Sequence, residues 1–268
     1  MQTAASSRFS FKTCHLIAAF GALVFTAHPY PALHQATAAT TKTGSLVPFV
    51  GCKSDGQSGP EDAPGGQPVL LPVPAKAAER LAYYKSEQGI GVLAPLGWHC
   101  FGGYGSNGYS LYVSPEPFDG VTLFSASWRG FAGPAIEIRG STGDTSGRFE
   151  VAQVIARVFP NRKAFVENLV MQGEPATSFS FGPYPKDKLT YRNDGTVEYE
   201  TPANSEGLGT QSRLMKNPHP IRGVAILVGD TPDLVQLSMR LPPEFAELGS
   251  IIIRQVEADA THSGANPN

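Results

Sequence analysis

The sequence predicts one α+β domain, a mainly antiparallel sheet covered by two or three helices. Three observations support this fold class. Short alternating apolar segments, bounded by glycine, asparagine and proline, predict strands over residues 89–140 and again over residues 188–241 of the 268-residue chain. Between them, two segments carry apolar residues at helical spacing. No repeat of fixed period and no linker divides the chain, so strands and segregated helices share one core.

The first 38 residues differ from the rest and predict a signal peptide. Arg8 and Lys12 form a basic start without acids, and the apolar stretch His15–Ala27 follows. That stretch is too short to span a bilayer. Ala36-Thr37-Ala38 is a small-residue cleavage site, and a cut just after the apolar stretch is the alternative. We expect a periplasmic or secreted protein without a membrane span after cleavage.

Residues 39–74 predict an extended N-terminal arm rich in glycine and proline. The density of turn-forming residues argues against regular helices or strands. Its first part, residues 39–48, is small and polar and predicts a flexible lead-in. We expect the arm to lie on the domain that follows.

Two cysteines, Cys52 and Cys100, remain once the signal peptide and its Cys14 are removed. An even pair in an oxidising compartment predicts one disulfide. The loop of about 49 residues that it closes corresponds to about 4 kcal/mol in the chain-entropy estimate. The alternative is a reactive thiol at Cys100 beside His99. Neighbours on a strand point to opposite faces, so His99 is badly placed to activate that thiol.

The main domain is predicted to cover residues 75–258. Its first part contains one helix and four strands, joined in part by the turn-rich connection Trp98–Gly108. The expected elements are a helix over 75–89 and strands over 89–95, 108–115, 120–128 and 135–140.

The second part of the domain begins with two amphipathic helices that end before Pro160 and at Gly173. Asn193-Asp194-Gly195 is a strong hairpin signal, and a second hairpin turns at 229–232. Residues 259–268 predict a disordered tail. The expected elements are helices over 148–159, 162–172 and 242–258, and strands over 188–192, 196–201, 223–229 and 233–241.

The charge balance indicates which partners to expect. Removing Arg8 and Lys12 leaves 19 basic against 23 acidic residues, a net charge of −4. No basic cluster is present, which excludes nucleic acid as an expected partner because phosphate binding needs clustered lysine and arginine. The expected partner is an envelope or extracellular ligand or protein.

No motif assigns catalytic residues. The chain lacks a G-x-S-x-G elbow and an S-x-x-K motif, although a fold can still assemble a triad around His99 or His219. Without an H-x-x-x-H or C-x-x-C pair, we expect no metal and no cofactor. A glycosidase-like carboxylate pair remains open among four acids, namely Glu137, Glu150, Glu198 and Glu200.

Two loops hold the candidate binding residues. Aromatic side chains crowd the connection after residue 97, and the segment 206–212 carries several hydrogen-bonding groups. Such residues are typical of binding surfaces, but burial at the edge of the core is the commoner role of large aromatics. The candidates are Trp98, His99, Tyr104, Tyr109 and Gln211.

Two resemblances cover parts of the chain. VGCKSDGQSGP, LAYYKSEQGIGVLAPLGWHCFGGYGS and TPDLVQLSMRLPPEFAELGSIIIRQVEA are similar to exported bacterial proteins of unassigned function, which implies export. A strand ending in Pro-x-Gly-Trp (Pro95–Trp98), followed by strands and a final strand and helix, resembles PsbP-like domains. That family consists mostly of accessory or binding modules. The long arm and Cys52 depart from it, so no site residue is carried over.

The sequence favours an exported, disulfide-tied protein that acts as a non-catalytic binding or accessory module of the cell envelope. One alternative is a secreted hydrolase of envelope or extracellular polymer, which the aromatic and carboxylate-bearing loops suggest. A second alternative is a secreted inhibitor or effector that binds another protein.

Overall fold

The structure is a computed structural model and describes residues 44–264, which belong to one compact unit. The predicted signal peptide, the first residues of the predicted arm and residues 265–268 lie outside the described residues. The α+β class is confirmed, with sheets dominating and several helices packed on them. No helix between residues 44 and 264 is long and apolar enough to cross a bilayer.

Strands are the main regular structure of the described residues. They are β1 (Ser45–Val47), β2 (Phe49–Gly51), β3 (Ser54–Gly56), β4 (Val69–Leu71), β5 (Leu81–Lys85), β6 (Val92–Pro95), β7 (His99–Gly105), β8 (Gly108–Ser114), β9 (Ala135–Ser141), β10 (Lys188–Asn193), β11 (Thr196–Thr201), β12 (Ile221–Val228) and β13 (Asp233–Arg240). The α-helices are α1 (Ala75–Ala78), α2 (Gly120–Leu123), α3 (Arg148–Val158), α4 (Lys163–Met171) and α5 (Gly249–Gly264). Short 3-10 turns include Leu208–Gln211 and Pro243–Leu248.

One large sheet organises the fold, with strand order β10-β11-β12-β13-β9-β8-β7-β3. Every neighbouring pair is antiparallel except β3 and β7, which run parallel. The predicted hairpins β10–β11 and β12–β13 are confirmed. A three-stranded sheet (β2-β5-β6) and a two-stranded sheet (β1-β4) complete the β-structure of the described residues.

The large sheet buries apolar side chains on both faces. On one face, Leu111 and Ile138 belong to the same core cluster as Ile252 of α5. On the other face, Ile155 of α3 and Leu234 of β13 share a second core cluster. Alternation along each strand produces this division, because successive side chains point to opposite faces. Helices α3 and α4 therefore cover one end of the sheet, as their apolar stripes predict.

A polar region lies on the second face, beside the part that α3 and α4 cover. Strand β9 reads Ala-Ile-Glu-Ile-Arg, so Glu137 and Arg139 point away from the face that holds Ile136 and Ile138. Their partners on β13 are Ser238 and Gln236. These residues put charged and amide groups at the centre of a largely buried sheet.

Two predicted elements are wrong. The helix expected over 75–89 ends at Ala78 and gives way to β5, because Leu81 and Tyr84 are fully buried in a strand paired on both sides. The strand expected over 120–128 is the short helix α2, whose start is capped by the Asp119 carboxylate accepting from the Thr122 amide at 2.8 Å.

The glycine-rich connection after Trp98 is itself a strand. Strand β7 pairs with β8 about a two-residue turn at Ser106 and Asn107. Gly102 is closely packed, because a Cβ there would lie 3.0 Å from the Cβ atoms of Ser54 and Ser86. Contacts with the N-terminal segment thus explain a strand that propensity alone does not predict.

The N-terminal segment is more regular than predicted, and so is the start of the C-terminal tail. Residues 45–71 contribute short strands to all three sheets, whereas no regular strand was expected there. Helix α5 extends to Gly264, into the predicted disordered tail. The Tyr83 hydroxyl and the Gln255 amide both donate to Asp259, and Ala260 is fully buried, so packing holds this turn.

The disulfide between Cys52 and Cys100 is confirmed, with Cα atoms 5.5 Å apart. Cys52 follows β2 and is 1% exposed, whereas Cys100 lies on β7 and is half-buried. The bond therefore ties the N-terminal segment to the large sheet.

Candidate functional site

A cleft of about 410 Å³ opens on the polar region of the large sheet. Its floor is formed by β7, β8 and β9. Phe124, which follows α2, lies on one side, and Gln211 and Arg213 lie on another. A concave site with a few convergent polar groups is the usual form of a small-molecule site.

Strand register places two charged groups side by side on the floor. Glu137 and Arg139 are two residues apart on β9 and so share a face. Across the ladder on β8, Tyr112 pairs with Glu137 and Ser110 pairs with Arg139. Because the strands of this floor are hydrogen-bonded to their neighbours, the backbone that carries these side chains is rigid.

Glu137 is a buried carboxyl group, only 3% exposed. Burial raises its pKa, while the Arg139 charge, the hydrogen bond from the Arg213 amide and the Arg213 charge oppose that rise. The amide of Arg213 donates to Oε2 of Glu137 at 2.5 Å. Desolvation wins over the two arginines, so the neutral acid is favoured more than in water.

Arg139 is held by groups from two other elements. Its Nη2 donates to Oε1 of Gln236 at 2.7 Å, and its Nη1 reaches the Gln211 carbonyl at 3.4 Å. Its Nε–H is buried and has no acceptor among the described residues. Gln236 in turn donates to the Tyr199 hydroxyl at 3.3 Å. The guanidinium is thus fixed in position by neutral acceptors, and its charge stays available to a ligand.

Arg213 sits at the edge of an aromatic cluster. Its guanidinium lies 5.7 Å from the Trp128 ring centre. The rings of Trp128 and Phe131 pack edge to face with their centres 5.2 Å apart. The ring centres of Phe131 and Tyr112 are 6.0 Å apart. This cluster connects the segment after α2 to the cleft floor and supports Arg213 from outside the sheet.

A second cavity of about 240 Å³ adjoins the cleft, because Arg139 and Gln211 line both. Arg157 of α3 also lines it and lies 4.1 Å from the centre of the Tyr184 ring. Its Nη1 donates to the Gly182 carbonyl at 3.3 Å. The polar face therefore carries a groove with a guanidinium in each half.

The structure separates the predicted binding residues. Gln211 is exposed and lines both cavities. Tyr104 and Tyr109 line the edge of the cleft, but they share a sheet face with Leu111, opposite the floor. The Tyr104 hydroxyl donates to the Gly59 carbonyl at 2.5 Å, on the N-terminal segment.

Trp98 and His99 are not among the residues that line the cleft. Trp98 packs edge to face on Phe245 at 6.3 Å, beside the core of the first face. His99 is exposed. Sharing a loop in sequence did not bring these two side chains to the groove.

Sequence reasoning missed the groups that matter most in the cleft. Arg139, Arg213 and Phe124 were not singled out, and Glu137 was one of four unranked acids. The alternation of β9 did place Glu137 and Arg139 on one face. What no local pattern revealed is that this face is covered by residues more than 70 positions later in the chain.

The hydrolytic alternatives can be located in the structure. His99 and His219 are both exposed, and no histidine of the described residues lines the cleft. Glu198 and Glu200 form ion pairs with Arg192 and Lys188. Within residues 44–264, no group of three or more His, Cys, Asp or Glu side chains is arranged to hold a metal.

Two of the four acids line the same cleft. Glu150 of α3 lines the same cleft as Glu137, and its Oε1 accepts from the Asn107 amide at 3.0 Å. Glu137 is buried with a raised pKa, whereas Glu150 is half-buried. Two carboxyl groups in different surroundings are the arrangement on which acid–base hydrolysis depends.

Comparison of the chain with protein-family models, with curated proteins and with solved structures found no match. The two resemblances drawn from the sequence therefore stay predictions.

Proposed function

We propose that this protein is an exported, non-catalytic binding module whose small polar ligand occupies the cleft over β7, β8 and β9. The observation that carries the proposal is the floor of that cleft, where Glu137 and Arg139 lie side by side in a largely buried site. Burying ionisable groups costs free energy, so their presence on a concave surface favours a binding role.

The supporting groups suit binding more than reaction. Arg139 is held by Gln236 and by the Gln211 carbonyl, and Glu137 is held by the Arg213 amide. These contacts fix the floor before any ligand arrives, which reduces the entropy lost on binding. No histidine or metal cluster of the described residues stands in the cleft to supply a nucleophile or its base.

Export is the second part of the proposal. The confirmed disulfide between Cys52 and Cys100 supports it, because such bonds persist in oxidising compartments. The basic start and the apolar stretch of residues 1–38 point the same way. Fractionation of the producing cells, together with mapping of the signal-peptide cleavage site at the N-terminus, tests this part directly.

The cleft offers a direct test through Gly103, which lies on its floor. A Cβ at Gly103 would be 3.2 Å from Ser110 Oγ and 3.8 Å from the Phe124 ring, so a larger side chain there fills the cleft. The matched control is Gly133→Val, because a Cβ at Gly133 meets nothing within 4 Å.

The experiment screens wild type, Gly103→Val and Gly133→Val by native mass spectrometry against sugars, amino acids and organic acids. Binding by wild type and Gly133→Val, with at least tenfold weaker binding by Gly103→Val, supports the proposal. Absence of binding to every compound contradicts it, and so does equal binding by all three folded proteins. Thermal unfolding of each variant checks that it is folded.

A second candidate function is hydrolysis of a polymer with Glu137 and Glu150 as the two carboxyl groups. The observation that favours it is that both acids line one cleft and that burial raises the pKa of Glu137. Release of reducing ends from polysaccharides, lost in Glu137→Gln and Glu150→Gln, would replace the binding proposal. No release from any polysaccharide by wild type removes this candidate.

A further inference from the structure

We infer that the ligand of this cleft is an acidic sugar, with its carboxylate between the guanidiniums of Arg139 and Arg213 and its ring against Phe124. This inference rests on the proposed function and specifies the chemical class of the ligand. It is carried by three features of the cleft: unneutralised arginines, an exposed aromatic ring and several hydrogen-bonding side chains.

The first feature is positive charge that the protein itself leaves unpaired. Among the described residues, the guanidinium of neither Arg139 nor Arg213 has a carboxylate oxygen within 4 Å. Glu137 lies beside them, but burial favours its neutral form, and its Oε2 faces the Arg213 amide. An anionic group entering the cleft would meet two cations and a carboxyl group that resists ionisation.

The second feature is the geometry of Arg139. The side-chain oxygen of Gln236 accepts a hydrogen bond from one terminal nitrogen, and the Gln211 carbonyl accepts one from the other. Further N–H groups of this guanidinium stay free. A planar guanidinium binds a carboxylate through two parallel hydrogen bonds, and a fixed one loses little entropy in doing so. The same fork also binds a phosphate through two hydrogen bonds, so the probes include a phosphorylated sugar.

The third feature is Phe124, which is 56% exposed although it is a large apolar residue beside a cleft. Its ring approaches the floor at Gly103, where the missing side chain leaves the space above the strand open. A ligand with an apolar face would cover this ring and gain the free energy of its burial.

The polar side chains around the ring distinguish a sugar from an aromatic acid. Ser110, Asn107 and Gln211 line the same cleft, and each offers a hydroxyl or amide group to ligand hydroxyls. The cleft of about 410 Å³ accepts one or two sugar rings. The adjoining cavity with Arg157 extends the groove, so a second acidic unit would meet a third guanidinium.

The test uses four acidic sugars, each with a neutral counterpart. The probes are glucuronate with glucose, galacturonate with galactose, mannuronate with mannose, and N-acetylmuramate with N-acetylglucosamine, measured by isothermal titration calorimetry. Glucose 6-phosphate and p-hydroxybenzoate separate the phosphate and aromatic-acid chemistries. We expect at least one acidic sugar to bind at least tenfold more tightly than its neutral counterpart. The affinity for that sugar should fall as salt is added.

Three variants test these contacts: Arg139→Gln, Arg213→Gln and Phe124→Ser. Each should weaken the binding of the acidic sugar at least tenfold. Arg139→Lys keeps the charge but not the planar fork. Its affinity for the acidic sugar should lie between those of wild type and Arg139→Gln, and this intermediate affinity would show that the loss in Arg139→Gln is not a folding defect. The matched control is Arg254→Gln on α5, which is exposed and packs on the other face of the sheet. Its binding should equal that of wild type.

The outcomes separate this inference from the proposed function. Binding of a neutral sugar as tightly as its acidic counterpart, unaffected by Arg139→Gln, overturns the inference and leaves the proposed function standing. Preferred binding of the phosphate or of p-hydroxybenzoate also overturns it. If neither these probes nor the broader compound screen gives binding that Gly103→Val removes, the proposed function fails as well.

Discussion

Arg139 of β9 and Gln236 of β13 face each other at the centre of the large sheet, where Nη2 of Arg139 donates to Oε1 of Gln236 at 2.7 Å. Gln236 is 1% exposed and also donates to the Tyr199 hydroxyl. One buried amide therefore connects the cleft to the core under α3 and α4. Because both of its hydrogen bonds are buried, the pair should matter to stability as well as to binding.

We expect Gln236→Leu to lower the free energy of unfolding by about 1–3 kcal/mol, because it removes the acceptor of the Arg139 guanidinium and a donor to the buried Tyr199 hydroxyl. Urea unfolding measures this loss. The matched control is Gln211→Leu, since only the Gln211 carbonyl contacts Arg139 and the side chain is exposed. Its effect should stay within about 0.5 kcal/mol. Equal losses in the two variants would contradict a structural role for the buried amide.

Glu137 predicts a pH dependence of stability. Burial raises its pKa, so the folded protein keeps a proton that the unfolded chain has already released. The contribution is complete below the unfolded pKa and is lost as pH rises through the raised value. Arg139, Arg213, Tyr112 and Tyr199 are the titratable or charged groups that act on this carboxyl.

Glu137→Gln stays neutral at every pH and keeps an acceptor for the Arg213 amide. Wild type should therefore lose stability relative to Glu137→Gln as the pH rises from 4 to about 8, as measured by urea unfolding at each pH. Glu198→Gln, which changes a partly exposed carboxyl paired with Arg192, is the control. A difference between wild type and Glu137→Gln that is flat with pH, or that changes in the opposite direction, would refute the buried-acid interpretation.

The disulfide should contribute about 4 kcal/mol to stability, because it closes a long loop in the unfolded chain. Replacing both cysteines by alanine, Cys52→Ala with Cys100→Ala, should lower the urea midpoint accordingly. Cys52 is 1% exposed, so dithiothreitol should reduce the folded protein slowly and the urea-unfolded protein quickly. Rapid reduction without urea would show that the N-terminal segment opens readily from the sheet.

Gly223 of β12 should tolerate no side chain. A Cβ there would lie 2.0 Å from the Leu237 carbonyl oxygen and 2.5 Å from the Tyr199 hydroxyl. Gly223→Ala must displace a paired strand or the buried tyrosine, and we expect a loss of about 3 kcal/mol or more. Gly133→Ala, with nothing within 4 Å of its Cβ, should change stability by less than about 1 kcal/mol. Similar unfolding midpoints for the two variants would contradict the close packing of Tyr199 on β12.

The elements predicted correctly are those with strong local signals. The Asn193-Asp194-Gly195 turn fixes the β10–β11 hairpin, and the apolar stripe of residues 148–158 fixes α3. The wrong elements had local signals that tertiary contacts overrode. Good helix formers follow Ala78, but the burial of Tyr84 between two strands makes β5. The β-branched segment after Gly120 has no neighbouring strand, so a local cap makes a helix of it.

The candidate site was predicted only in part for the same reason. Gln211 was identified from its loop, and it does line the cleft. Trp98 and His99 were chosen for their crowding in sequence, yet Trp98 packs on Phe245 and neither side chain lines the groove. The cleft depends on Arg213 reaching Glu137 across 76 positions of sequence, and no local pattern encodes that contact.

By itself, the sequence determined the α+β class, the two hairpins, the main helices and the pairing of Cys52 with Cys100, because periodicity, turn residues and a single available partner are local or compositional properties. Only the tertiary structure decided that Glu137 and Arg139 line one cleft. Burial of a strand face depends on which distant segments pack over it, and that depends on the free energy of the whole fold.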